Sequence, residues 1–111
     1  MWNYDAGAIL DIIDFDDMSS YESLKRLDVL KTGIKSVKGI GNFKKLQWLS
    51  LDYERKLEDM SEIVRLADTL RALSIENCPK ITDFSLEVLK LLKSNEVIIM
   101  LFDMKIVRFA F

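Results

Sequence analysis

Apolar residues along the chain fall into one recurring phrase. In "LRALSIENCPKI" (Leu70 to Ile81) they hold the first, fourth and sixth places, and a cysteine, Cys78, holds the ninth. Gaps of three and four would mark one face of a helix, and gaps of two a strand. A three-step leading into a two-step fits neither element alone and predicts a short strand with a fixed lead-in and a turn. The phrase returns in "LKRLDVLKTGI" (Leu24 to Ile34), with Leu24, Leu27, Val29 and then Thr32 at the ninth place. It returns again in "LQWLSLDYERKL" (Leu46 to Leu57), with Leu46, Leu49, Leu51 and then Glu54. The starts lie 22 and 24 residues apart, within the range over which a single supersecondary unit repeats. A further step of 24 lands on Ser94 and places Val97 and Ile99 inward, with Phe102 at the ninth place. Upstream, "LDIIDFDDM" carries the same spacing at Leu10, Ile13 and Phe15 but lies only 14 residues before Leu24, so it reads as a capping strand.

Side chains alternate along a strand. Leu27 with Val29, Leu49 with Leu51, and Leu73 with Ile75 therefore point into the core. Between the strands the spacing turns helical. "SEIVRLADTL" (Ser61 to Leu70) and "DFSLEVLKLLK" (Asp83 to Lys93) predict helices, the first capped at Asp59 or Ser61 and the second at Asp83. "KSVKGIGNFKK" holds two glycines and predicts an extended connection or one helical turn.

These phrases resemble the leucine-rich repeat family, whose unit L-x-x-L-x-L-x-x-N/C-x-L forms a short strand followed by an outer helix or turn. The likeness runs from about Leu10 to Phe102, and "GIKSVKGIGNFKKL" and "CPKITDFS" are similar in texture to short repeat proteins of Gram-positive bacteria. It implies an α/β fold: a short solenoid with a parallel concave sheet and helices or turns on the convex side. It also implies one domain over 1–111, with an N-terminal cap at 1–23, repeats over 24–102, and a C-terminal cap or edge strand at 103–111. Glu54 and Phe102 depart from the Asn or Cys that the family places ninth.

Composition narrows the function. The chain has no histidine and one cysteine, so most acid–base and nucleophilic mechanisms lack a part and no internal disulfide is available. Cys78 reads as a buried structural residue. "GIGNFKK" lacks the spacing of a phosphate loop, and "DFDDM" (Asp14 to Met18) lacks the glycine and distant bidentate acid of a calcium loop. Neither a metal nor another cofactor is expected, and the chain reads as a non-enzyme. A net charge of −2 gives no footprint for direct nucleic-acid binding. The acidic opening carries no secretory leader, and "VIIMLF" is too short to span a bilayer. The expected address is the cytoplasm, without membrane contact.

The outward strand places hold more information. They carry Asp14 and Asp16, then Arg26 and Asp28, then Trp48, Asp52 and Tyr53, then Glu76, then Ile98, Met100 and Leu101. Acids predominate, with Trp48 and Tyr53 near the middle. Aromatic side chains anchor interfaces, and an acidic rim speeds encounter with a basic partner. The expected function is recognition and occlusion of a protein with a basic surface by Trp48, Tyr53, Asp28, Asp52, Glu76, Asp14, Asp16 and Arg26. Likeness to small bacterial repeat proteins implies a toxin-immunity protein or a mobile-element inhibitor of a nuclease. The alternative is a structural role in which Ile98, Met100 and Leu101 join two copies at the apolar C-terminal edge.

Overall fold

The computed structural model describes residues 15, 22–81, 83–84, 86–103 and 108–109. Its centre is a four-stranded parallel sheet in the order β1-β2-β3-β5, formed by β1 (Arg26–Leu30), β2 (Trp48–Asp52), β3 (Ala72–Glu76) and β5 (Ile98–Phe102). The chain is therefore an α/β protein in which each long strand lies beside the next long strand in sequence.

The register turns the repeated phrase into straight rows across the sheet. Leu27, Leu49, Leu73 and Ile99 form one inward row, and Val29, Leu51, Ile75 and Leu101 form the next. Leu27, Val29, Leu49, Leu51, Leu73 and Ile75 are at most 1% exposed, and burying each contributes about 1.5–3 kcal/mol. Ile99 and Leu101 pack on the same core from the sheet edge, which leaves them only partly covered.

The corners repeat as well. Lys31, Tyr53, Asn77 and Asp103 follow the four long strands, with φ of 52°, 52°, 53° and 49°. A left-handed residue turns the chain sharply away from the sheet while its N–H extends the ladder. Lys31 donates to the Asp52 carbonyl, Tyr53 to that of Glu76 and Asn77 to that of Phe102. Asn and Asp tolerate this conformation; a bulky side chain such as Tyr53 is uncommon there.

The crossovers lengthen along the chain. A 3-10 turn at Ile40–Asn42 links β1 to β2, a 3-10 helix at Ser61–Leu66 links β2 to β3, and β4 (Asp83–Phe84) with α1 (Leu86–Ser94) links β3 to β5. The register steps lengthen with them, from 22 residues (Arg26 to Trp48) to 24 (Trp48 to Ala72) to 26 (Ala72 to Ile98). An α-helix advances about 1.5 Å per residue against about 2.0 Å for a 3-10 helix, so a similar span takes more residues. The first two crossovers approach closely. A methyl group on Gly41 would lie 2.9 Å from Cδ of Arg65.

Several sequence expectations need correction. The helix expected over Ser61 to Leu70 is a 3-10 helix that ends at Leu66. Ala67 and Thr69 still bond three residues back, so the chain continues in tight turns. Asp59 accepts the Ser61 N–H at 2.9 Å, and the Ser61 hydroxyl and N–H together hold its carboxyl below the usual range. The helix expected from Asp83 begins at Leu86, because Asp83–Phe84 form β4 and pair in parallel with β6 (Arg108–Phe109). Arg108–Phe109 thus lie beside β4, and among the described residues no strand pairs with the outer edge of β5. The last long strand is also shifted by two residues from the projected position, so Leu101 faces the core, whereas Phe102 faces outward opposite Glu76.

One apolar cluster extends from Phe15 to Val97. Phe15 is fully buried, meets Phe43 edge-on at 5.9 Å between ring centroids, and donates its N–H to the Lys38 carbonyl at 2.8 Å. The rest of the proposed capping strand lies outside the described residues.

Candidate functional site

The sheet face opposite the core carries three outward rows. They are Arg26, Trp48, Ala72 and Ile98; Asp28, Ser50, Ser74 and Met100; and Leu30, Asp52, Glu76 and Phe102. Seven of the sequence-predicted residues, Arg26, Asp28, Trp48, Asp52, Glu76, Ile98 and Met100, thereby share one surface. Asp14 and Asp16 lie outside the described residues. Tyr53 stands at the corner past β2 rather than in the middle of the strands, and Leu101 points away from this surface.

The first two rows contain a preorganised group. Arg26 donates from Nε to Oδ2 of Asp28 at 2.9 Å, and its guanidinium carbon lies 4.8 Å from the Trp48 ring centroid. Asp28 thus helps to hold the cation over the indole face, an arrangement worth about 0.5–1 kcal/mol at exposed sites. Trp48 is half-buried beneath it. Its ring nitrogen is shielded from solvent and has no acceptor among the described residues.

The third row has the opposite character. Asp52 and Glu76 are register neighbours on adjacent parallel strands, where like charges cost stability. Burial pushes the Asp52 carboxyl above the usual range, against the Tyr53 N–H and the Lys31 charge, which pull it down. One Asp52 oxygen, Oδ1, is shielded without a donor among the described residues. The same surface ends in exposed apolar side chains on β5, with Ile98 at 63% and Phe102 at 49%.

The corner beyond β2 is basic. Tyr53, 40% exposed, lines an open depression of about 370 Å³ with Lys31, Gly33, Arg55 and Lys56. The Lys31 ammonium lies 5.2 Å from the ring centroid. Neither aromatic stands bare in the acidic field expected from the sequence: Arg26, held by Asp28, covers Trp48, and Tyr53 sits among cations.

Beneath the corners runs a buried polar column of Thr32, Glu54 and Cys78, of which the sequence pattern marks only Glu54 as a departure. Glu54 is fully buried. Its Oε1 accepts the Thr32 hydroxyl at 2.8 Å and the Thr32 N–H at 3.1 Å, and Oε2 lies 3.2 Å from the same N–H. Burial pushes its carboxyl above the usual range despite those bonds and one from the Gly33 N–H. Cys78 follows one turn later, donating its thiol towards the Glu76 carbonyl at 3.3 Å and the Leu51 carbonyl at 3.7 Å. Burial pushes that thiol up to about 11, so it is protonated near neutral pH. The signal for this column was present in the sequence as Thr32 and Glu54 at the same place in successive phrases. A hydroxyl and a carboxylate stacked there satisfy each other.

Among the described residues no group of His, Cys, Asp or Glu is arranged to hold a metal ion, and no helix is long and apolar enough to cross a membrane. Neither a family model, nor a curated protein, nor a solved structure matches the chain.

Proposed function

We propose that the chain is a short leucine-rich repeat solenoid and a non-enzymatic, cytoplasmic protein-binding module, whose outward, concave sheet face covers the basic surface of a protein partner. The observation that carries the reading is the third outward row, where Asp52 and Glu76 stand side by side and Phe102 lies exposed beside them. A free monomer gains nothing from adjacent carboxylates or from bare apolar side chains at the end of the row. A Lys or Arg from a partner would bridge the acids, and the rest of that partner would cover Ile98 and Phe102. Arg26, held over the half-buried Trp48 ring, presents a cation on the same surface, and both residue types are enriched at hot spots. The solenoid reading is supported by the in-register rows and by the left-handed corner that returns after each long strand.

In its most concrete form the module is an antagonist, an immunity protein or a nuclease inhibitor that blocks a basic substrate channel by occlusion. Affinity capture from native lysate at low and moderate salt tests this reading with wild type beside Trp48→Ala. The expected result is one basic protein, held by wild type, released by salt and lost or much reduced in the variant. Equal capture by both proteins would contradict a role for this face.

A second reading, self-association, draws on Ile98 and Phe102 at the sheet edge. It expects Ile98→Glu to convert a dimer to a monomer in light scattering. A wild-type monomer at high concentration would remove that reading.

A further inference from the structure

We propose that the corner around Tyr53 is an anion site that takes a phosphate group. It is distinct from the acidic row of the sheet face and does not depend on the reading of that face. The repeat geometry builds it from two successive corners. Lys31 and Gly33 come from the turn after β1, and Tyr53, Arg55 and Lys56 come from the turn after β2. Because Lys31 and Tyr53 occupy equivalent left-handed positions, the stacking of the two turns brings the ammonium over the ring.

Three observations converge on an anion. First, three cations share one depression of about 370 Å³; among the described residues no carboxylate lines it, Asp103 lying in the adjoining depression on the other side of Tyr53 and Arg55, and none forms an ion pair with Lys31, Arg55 or Lys56. Asp52 senses the Lys31 charge from the sheet side, but like charges gathered in one depression still repel one another, and a bound anion relieves that repulsion. Second, the donor set suits a phosphate: a forked guanidinium that can bind two oxygens together, two ammonium groups and a phenol hydroxyl. Third, the corner requires a left-handed residue, for which Asn77 and Asp103 are the ordinary choices. A large, 40% exposed tyrosine is not required by the turn. Strain of this kind clusters at ligand clamps.

A phosphate on a small molecule and a phosphate on a peptide side chain present the same chemistry, so the test uses both. Backbone amide NMR is recorded while the protein is titrated with inorganic pyrophosphate, and separately with a phosphoserine peptide and its unphosphorylated form. The expected result is saturable shifts at Gly33, Tyr53, Arg55 and Lys56 with at least one phosphorylated probe, and none with the plain peptide. The tighter of the two probes identifies the source of the phosphate. Arg55→Glu with Lys56→Glu should weaken binding at least about tenfold, whereas the control Lys44→Glu with Lys45→Glu, on a separate turn, should change it less than about twofold. If the charge reversal prevents folding, Arg55→Gln with Lys56→Gln serves in its place. Shifts that never saturate, that spread equally to Lys44, Lys45 and Lys80, or that survive loss of Arg55 and Lys56 would overturn the assignment.

Discussion

Replacing Glu54 with alanine is expected to destabilise the fold by about 3 kcal/mol, because it strands the buried Thr32 N–H and hydroxyl and opens space in the core. For a chain of this size that is a large share of a total near about 5–15 kcal/mol. Thermal or urea unfolding would measure it. Glu54→Gln keeps one acceptor oxygen and is expected to cost about 1 kcal/mol. The pH dependence separates the charge from the packing. Burial raises the folded-state value of Glu54 above its ordinary 4.5, so the fold binds its proton more tightly than the unfolded chain does. That contribution is fully present below 4.5 and is lost as pH rises through the raised value. The advantage of wild type over Glu54→Gln should therefore shrink as pH rises from below 4.5 towards neutrality. An advantage that grows with pH would mean that the carboxylate, and not the acid, is the better-held form.

The second large effect concerns the end of the core next to β1. Phe43 is fully buried and meets Phe15 edge-on, and Phe15 is tied to the Lys38 carbonyl through its backbone. Phe43→Ala should cost about 3–5 kcal/mol, the usual range for deleting a buried aromatic ring. Phe43→Leu, which refills most of the volume, should recover more than half of that loss. Chemical denaturation measures both. A cost below about 1 kcal/mol for the alanine variant would show that Phe15 adds little closure to this end of the core.

Much of the architecture was readable from the apolar spacing. Leu27, Val29, Leu49, Leu51, Leu73 and Ile75 were expected inward, and all are buried. A period-two pattern leaves a strand few other choices when one of its faces is covered. The last strand was misplaced by two residues for an identifiable reason. A constant step of 24 was projected across a crossover that contains an α-helix, whereas the register step is 26. An even shift preserves inward and outward parity, so Ile98 and Met100 remained correctly outward while Phe102 was given a turn position. The Ser61 to Leu70 segment was misjudged for a different reason. Ile63 and Leu66 are three apart, a spacing that both helix types share, and only hydrogen bonding distinguishes them.

The site was less legible than the fold. Strand alternation identifies an acidic strip at the outward places, yet a strip read from sequence assigns every residue the same exposure. It could not show that Asp28 holds Arg26 over Trp48, or that Asp52 and Glu76 fall in register. Nor could it show that Tyr53, one residue past β2, turns into a basic corner whose other members come from the neighbouring turn. These relations exist only across strands, at separations near the repeat length, and depend on the register that the crossovers set.

In the proposed function the sheet face trades stability for recognition of a basic partner, and one paired measurement on Asp52→Asn with Glu76→Gln tests that trade. The unfolding midpoint and the capture of the salt-sensitive partner are read on the same preparation, beside wild type. Removing adjacent like charges should leave the midpoint unchanged or raise stability by about 0.5 kcal/mol, while capture falls at least about tenfold. Undiminished capture by a variant that folds as well as wild type would mean that the Asp52 and Glu76 row does not hold the partner.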